Sequence, residues 1–223
     1  MKLKTFTKEE VAEWEEAPPF KKKASSWAMT TASTRNAALE SQKALSGPRA
    51  PETWVGDGES KKFRMLIAEP IGLFRYQFQI GGKWHSFTKP GRGEADLFQS
   101  ELNLGASYKA VWIVLDYAGY TDKEGKTQKN LARYWLVSGR LNSQLEALGD
   151  KYGDLTGYDI EVRRIGSDKN TTYQLFQERK SVIDPKVRAS LPNLRAKFEE
   201  YYAPPTEEQQ EAIVAAYRAG GGA

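Results

Sequence analysis

Aromatic and basic side chains recur together on several short segments in the middle of the chain. On the segment from Tyr108 to Tyr117, alternate positions place Tyr108 and Trp112 on one face and more apolar residues on the other. A later segment places Arg133 and Trp135 on a common face. Exposed rings stack on bases and cations neutralise phosphates, so this pattern indicates a surface for single-stranded nucleic acid. The alternative is that Trp112 covers a second layer of core.

Neighbouring segments add further cations and another ring to the same predicted groove. Between Ile71 and Ile80, alternate aromatic residues predict a buried face, which leaves Arg75 on the outer face. The run Lys83 to His85 follows directly, and its alternative interpretation is a surface hairpin with one buried Trp. A Lys-rich loop, Thr121 to Lys129, then precedes Arg133. The predicted DNA-binding residues are Arg64, Arg75, Lys83, Trp84, Tyr108, Lys109, Trp112, Lys126, Lys129, Arg133 and Trp135.

The side chains that usually catalyse reactions are scarce in this sequence. His85 is the single histidine, there is no cysteine, and the phosphate-binding, nucleophile-elbow and zinc-protease motifs are absent. We therefore expect a protein that is not an enzyme and that holds neither a cofactor nor a metal. A nuclease remains an alternative, in which Asp116, Asp122 and Glu124 would bind Mg²⁺.

The positive charge is concentrated in the middle of the chain. The formal net charge is +4, and residues 61–180 carry 19 Lys and Arg residues against 14 Asp and Glu residues. A basic segment rich in aromatic residues suits a polyanion with exposed bases. The apolar runs are far shorter than the roughly 20 residues of a membrane helix, and the N-terminus has no secretory signal. We therefore expect a soluble protein located in the cytoplasm.

A period of two begins near Lys61, where β-branched and aromatic residues form short runs separated by turns. Gly81 and Gly82 predict a two-residue hairpin loop, because glycine adopts positive φ at little cost. The predicted strands are Lys62 to Ala68, Ile71 to Ile80, Lys83 to Thr88, Tyr108 to Tyr117, Leu131 to Ser138, Leu155 to Ile165 and Thr171 to Gln177. The predicted helices include Glu94 to Leu102, Gly139 to Leu148, Asn193 to Tyr202 and the segment that Thr206 caps.

These elements predict a mainly β fold with flanking helices, with an OB-type Greek-key barrel as its core. An open antiparallel sheet with flanking helices is the alternative. The predicted domains are an N-terminal arm at 1–58, the core at 59–180 and a C-terminal helical extension at 181–223. The narrow apolar stripe of the last helix, at Ile213 and Tyr217, predicts that this helix docks replication or recombination proteins.

The core resembles the T-even phage family of single-stranded DNA-binding proteins. The resemblance is carried by the run Lys62-Phe63-Arg64-Met65-Leu66, the hairpin Gly82-Lys83-Trp84-His85, and the long apolar strand from Tyr108 to Asp116. The order of the elements over residues 60–180 is similar as well. The resemblance implies non-catalytic, sequence-tolerant binding of single-stranded DNA in phage DNA replication, recombination or repair, in the cytoplasm of the host cell. The alternative function is a protein-interaction module without affinity for nucleic acid.

The chain departs from that family in three places. The family's zinc site is built with cysteines, and the equivalent stretch, Thr88 to Gly105, contains none. The nearest match to the family's self-association motif is Lys21-Lys22-Lys23-Ala24-Ser25-Ser26, behind an additional acidic helix. The family's acidic C-terminal tail has no counterpart in Gly220 to Ala223. We expect Lys21, Lys22 and Lys23 to support cooperative contacts between neighbouring proteins on DNA.

Overall fold

The computed structural model describes residues 45, 48–91, 96–121, 124–167 and 170–220. Contacts divide the chain into two units, residues 1–39 and 40–223, and every described residue belongs to the second. The predicted self-association segment with Lys21, Lys22 and Lys23 therefore lies outside the described residues. Residues 52 and 53, which fall in the predicted N-terminal arm, belong to the sheet.

The fold is mainly β, with one mixed eight-stranded sheet, a small two-stranded sheet and short flanking helices. The large sheet contains β1 (Glu52–Thr53), β2 (Ser60–Met65), β3 (Ile71–Ile80), β4 (Lys83–Thr88), β5 (Ser107–Asp116), β8 (Leu131–Ser138), β9 (Tyr158–Ile165) and β10 (Thr172–Lys180). The small sheet contains β6 (Tyr120–Thr121) and β7 (Thr127–Gln128). The helices are α1 (Leu97–Leu102), α2 (Gly139–Tyr152), α3 (Pro185–Ser190), α4 (Phe198–Tyr202) and α5 (Glu207–Ala219).

The central strand β5 organises the large sheet. One edge of β5 pairs with β8 along most of its length, while the other edge pairs with β3 near its start and with β2 near its end. The main path runs β1-β8-β5-β2-β9-β10, and β4 extends from β3. Among the described strands, only the short β1–β8 pair is parallel. The described strands do not close into a barrel, so the mainly β class with flanking helices is confirmed, whereas the predicted barrel closure is not observed.

Local signals predicted several elements with the observed bounds. Strands β3, β4 and β8 begin and end where the period of two places them. Gly81 and Gly82 have φ of 55° and 77°, as a two-residue hairpin loop requires. Helix α2 is longer than predicted: it continues through Gly149 to Tyr152, and Gly153, whose φ is 85°, is its C-cap. Strand β9 is shorter, because a 3₁₀ turn occupies Leu155–Gly157.

The large sheet is covered by apolar residues on both faces around β5. On one face, Trp112 and Val114 pack with Leu141 and Leu145 of α2. On the other face, Val111 and Ile113 pack with a C-terminal segment that includes Leu194 and Tyr202. Both alternating faces of β5 are therefore buried, which removes the solvent-facing side that the sequence pattern predicted.

The last helix, α5, is part of the folded unit. Thr206 and Gln209 form the predicted capping box, with each side chain bonded to the other residue's backbone N–H. The apolar stripe is buried against the β3–β4 hairpin and α1, where Ile213 packs with Phe78 and Phe98. The stripe is thus used inside the fold and is not the free apolar face on which the docking prediction was based. Residues 181–220 belong to the same compact unit as the sheet, and several apolar residues between 191 and 217 pack in its core clusters.

Candidate nucleic-acid interface

A cleft of about 980 Å³ lies beside the outer edge of β4. Strand β4 forms one wall, and residues before and after β1 form another. The segment that follows α4, including Pro204 and Pro205, contributes the rest of the lining. The aromatic and charged residues of the lining that matter here are Arg49, Glu52, Trp54, Arg75, Lys83, Trp84, Arg133, Glu200 and Tyr202.

The β3–β4 hairpin places Trp84 and Arg75 on the same face. Gln79 pairs with Trp84 and Arg75 pairs with Thr88, and residues directly opposite in an antiparallel pair share a face. The two-residue loop fixes this register, since a slip of one residue would turn every side chain to the opposite face. Trp84 is 71% exposed, so most of its side-chain surface is accessible to a ligand. The prediction that the outer face of β3 contributes to a groove with Trp84 agrees with this geometry.

A second exposed indole, Trp54, was not predicted. It directly follows β1, and it is 70% exposed. Its neighbours Thr53 and Val55 are buried, and the Thr53 hydroxyl donates to Asp116 Oδ2 at 2.7 Å. The β-branched residues Thr53 and Val55 on either side of Trp54 are the sequence signal of a short strand that would have placed this ring on the opposite face. It was missed because residues up to 58 were assigned to an arm.

Glu52 accepts hydrogen bonds from two arginines of the cleft lining, Arg75 and Arg133. Its Oε1 accepts a hydrogen bond from Arg75 Nη1 at 2.9 Å and another from the Tyr202 hydroxyl at 3.0 Å. Its backbone carbonyl accepts from Arg133 Nη1 at 3.2 Å. Burial, together with the neighbouring Glu52 carboxylate, raises the pKa of Tyr202 above the ordinary tyrosine range, so the hydroxyl keeps its proton and remains a donor.

An aromatic ring lies against each of these guanidinium groups. Arg75 lies 5.5 Å from the centre of the Tyr202 ring, and Arg133 lies 5.5 Å from the centre of the Tyr120 ring. Tyr120, on β6, is 47% exposed. The turn before it requires Gly119, since φ there is 71° and a Cβ would lie 1.8 Å from the Gln128 carbonyl oxygen.

The lining of the cleft is positively charged. Arg49, Arg75, Lys83 and Arg133 supply four cations, and two carboxylates oppose them, which leaves a formal excess of two positive charges. Among the described residues, Arg49 and Lys83 form no ion pair, whereas Arg75 is paired with Glu52. Exposed cations beside exposed indoles are the combination that a nucleic-acid backbone with unpaired bases would contact.

Three predicted DNA-binding residues are instead buried in the fold: Trp112, Trp135 and Arg64. Trp112 and Trp135 face each other across β5 and β8 and are 2% and 3% exposed. The Trp112 Nε1 donates to Asn142 Oδ1 at 3.0 Å, and the Trp135 ring lies 4.9 Å from that of Phe63. These rings have no face on which a base could stack, because α2 covers this side of the sheet.

Arg64 is a structural cation rather than a DNA contact. It is 1% exposed, and its Nε donates to Asp159 Oδ1 at 2.6 Å. Its Nη1 donates to the carbonyl oxygen of Ser181 at 2.9 Å. A buried cation needs such partners, because an unpaired charge in the interior is costly. The site therefore cannot include Arg64.

The remaining predicted residues lie away from the cleft lining. Tyr108 is on the opposite face from Arg75, packs edge-on against Phe74 and lines a separate cavity of about 570 Å³. Lys109 is half-buried; burial, and then the charge of Arg75, lower its pKa. Lys126 and Lys129 are exposed in and after the β6–β7 hairpin.

The carboxylates considered for a nuclease do not form a cluster in the described structure. Asp116 is fully buried and accepts hydrogen bonds from Thr53 and from the Gly119 N–H, which makes it a structural anchor for β1 and the following turn. Asp122 lies outside the described residues, and Glu124 is exposed. Within the described ranges, no three His, Asp or Glu side chains lie close enough to hold a metal ion.

Comparison of the chain with protein-family models, with curated proteins and with solved structures found no match. None of the described helices is long and apolar enough to cross a membrane. Interpretation of the cleft therefore depends on its own chemistry and on the fold that surrounds it.

Proposed function

We propose that this protein binds single-stranded DNA in the cleft without catalysing a reaction. The observation that carries the proposal is that two indole rings, Trp54 and Trp84, each about 70% exposed, line one cleft that has an excess of cations. Large aromatic residues are normally buried, so two exposed indoles at one site favour a ligand that offers flat surfaces. Unpaired bases offer such surfaces, and base stacking contributes about 1–3 kcal/mol per base.

The same chemistry supports sequence-tolerant binding to single strands. Every base has a face that can stack on an indole, whereas discrimination between bases needs hydrogen bonds to their edges. In a duplex the base faces are stacked on one another and cannot reach Trp54 or Trp84. Exposed Arg49 and Lys83 would contact the phosphates, which adds an affinity that falls as the salt concentration rises.

We also propose that the sheet is an OB-type core and that the protein is related to the T-even phage single-stranded DNA-binding proteins. OB-type cores are five-stranded, partly open Greek-key barrels that bind oligonucleotides. An open sheet in which β5 pairs with β8 on one edge and with both β3 and β2 on the other is compatible with such a core. We assign the protein, on its resemblance to the T-even phage proteins, to DNA replication, recombination or repair in the host cytoplasm, with self-association along DNA.

A second candidate function is the binding of an extended peptide. Among the described strands, β4 pairs only with β3, so its other edge is open beside the cleft. Extended peptides add to such edges through main-chain hydrogen bonds. This candidate predicts no affinity for oligonucleotides, which separates it from the first.

Fluorescence anisotropy of labelled oligo-dT tests the proposal. The strand should exceed the roughly 16 nucleotides that one OB fold covers, and a duplex of the same length is the comparison. We expect the protein to bind the single strand more tightly than the duplex. The double variant Trp54→Ala/Trp84→Ala should weaken binding at least about 30-fold, from two stacking contacts at about 1 kcal/mol or more each.

The matched control is Phe176→Ala, which removes a half-exposed ring on β10 outside the cleft lining. It should bind as the unmodified protein does. Equal affinity for single strand and duplex, or unchanged affinity in the double tryptophan variant, would refute the proposal.

A further inference from the structure

We propose that Arg75 and Arg133 form a phosphate-binding site at the base of the cleft, where each guanidinium offers the edge formed by Nε and Nη2 to a phosphodiester oxygen. The inference rests on the proposed function and identifies the residues that would anchor the backbone of the strand. It also identifies Glu52 as the residue that positions both arginines.

Glu52 accepts a hydrogen bond from the Nη1 atom of each guanidinium group. Arg75 donates from Nη1 to the Glu52 carboxylate at 2.9 Å, and Arg133 donates from Nη1 to the Glu52 carbonyl at 3.2 Å. On each guanidinium, Nε and Nη2 form a second edge with two parallel N–H groups. That edge matches the spacing of two oxygens of a phosphate, which a lysine cannot reproduce.

On the second edge of each guanidinium, the Nε atom has no hydrogen-bond partner within the described part of the chain. Arg75 Nε and Arg133 Nε are both buried and form no hydrogen bond there. A buried donor without a partner is costly, and such atoms in a folded protein often indicate a water or ion that binds there. Two of them occur in one cleft, on residues whose other nitrogen is fixed by the same neighbour.

The charge balance leaves this cluster attractive to an anion. Arg75 and Arg133 contribute two positive charges and Glu52 contributes one negative charge, so the three residues retain one positive charge. The Tyr202 ring lies 5.5 Å from the Arg75 guanidinium, and the Tyr120 ring lies 5.5 Å from the Arg133 guanidinium. Each ring restricts the orientation of the guanidinium beside it. Fixed donors lose less conformational entropy when a phosphate binds, which favours direct contact over a diffuse attraction.

Arg164 provides a matched control from elsewhere in the molecule. Its Nε is also buried without a partner, and its Nη1 donates to the Val55 carbonyl at 3.3 Å. However, Arg164 lines a separate cavity of about 370 Å³ rather than the cleft. Substitution of Arg164 therefore tests the loss of a buried guanidinium without any loss at the proposed phosphate site.

The experiment compares Arg75→Lys, Arg133→Lys and Arg164→Lys in binding to oligo-dT at several salt concentrations. Lysine keeps the charge and loses the two-donor edge, so the slope of affinity against salt should hardly change. We expect Arg75→Lys and Arg133→Lys each to weaken binding about 10-fold, as for the loss of one charge-assisted hydrogen bond. Arg164→Lys should bind as the unmodified protein does, and thermal melting verifies that all three variants are folded.

Inorganic pyrophosphate gives a second measurement on the unmodified protein, which does not depend on the folding of a variant. Pyrophosphate should compete with oligo-dT for the cleft. Sodium chloride that supplies the same concentration of negative charge should compete less. Normal affinity in both lysine variants, or no competition by pyrophosphate, would overturn the phosphate site. If the tryptophan double variant still loses affinity in that case, the proposed function stands; if oligo-dT does not bind the unmodified protein, both proposals fail.

Discussion

Trp84 and Trp112 should respond in opposite ways to truncation, because one is exposed and the other is buried. Trp84→Ala removes a ring that is 71% exposed, so stability should change by no more than about 0.5 kcal/mol. The same change removes a stacking contact of about 1–3 kcal/mol. Affinity for oligo-dT should therefore fall about 5- to 150-fold.

Trp112→Ala should instead reduce stability and leave the binding surface unchanged. Its ring is 2% exposed and packs beneath α2, and truncation of such a residue costs about 3–5 kcal/mol. For a unit of this size, each kcal/mol lowers the melting temperature by about 2–4 °C, so we expect a decrease of about 6–20 °C. The folded protein should bind oligo-dT with nearly its original affinity.

The assay combines thermal melting by circular dichroism with anisotropy titrations made well below the melting temperature of each variant. A low melting temperature for Trp84→Ala would show that its ring is part of the core. A folded Trp112→Ala protein that loses as much affinity as Trp84→Ala would refute the assignment of the binding surface to the cleft.

Three further predictions concern the elements that support the cleft. Ile213→Ala should cost about 2–5 kcal/mol of stability, because this side chain is fully buried against the β3–β4 hairpin; an unchanged thermal melt would contradict the placement of α5 in the core. Burial disfavours the charged form of Asp96, but hydrogen bonds from Lys89, Tyr76 and the Gln99 N–H outweigh it and lower its pKa. Asp96 therefore contributes stability above the unfolded pKa of about 3.9 that is lost as pH falls through the lower folded pKa. The difference in the free energy of unfolding between Asp96→Asn and the unmodified protein, measured by denaturant unfolding, should decrease as the pH is lowered. A difference that does not change with pH would contradict this role. Gly119→Ala should displace Tyr120 and weaken oligo-dT binding, whereas Gly125→Ala, at a positive φ but with open space around it, should affect binding less in the same titration.

The parts of the fold that depend on local signals could be predicted from the sequence. The β3–β4 hairpin follows from a period of two and a Gly-Gly loop, and the α5 capping box follows from Thr206 and Gln209. The burial of Arg64 could not be predicted, because its partner Asp159 is 95 positions away. A charged residue in an alternating strand is normally exposed, and only the tertiary fold provides the compensating carboxylate.

The lining of the candidate cleft could likewise be predicted only in part. Arg75, Lys83, Trp84 and Arg133 were assigned to a groove and line the same cleft. Trp112 and Trp135 were assigned to it because alternation was interpreted as one buried and one exposed face. Both faces of β5 are covered, by α2 and by the C-terminal segment, and neither covering element is adjacent to β5 in sequence. Trp54 was missed because only the parallel pairing of β1 with β8 brings it to the cleft.

The most direct test of single-strand binding is a titration with oligo-dT, monitored by tryptophan fluorescence, at two salt concentrations. Stacking on Trp54 and Trp84 should quench the fluorescence, and each phosphate neutralised should contribute a slope of about −0.7 in log affinity against log salt. With about three phosphate contacts, a fourfold increase in salt should weaken binding about 20-fold. The absence of quenching, or an affinity that does not change with salt, would contradict the proposal that this cleft binds single-stranded DNA.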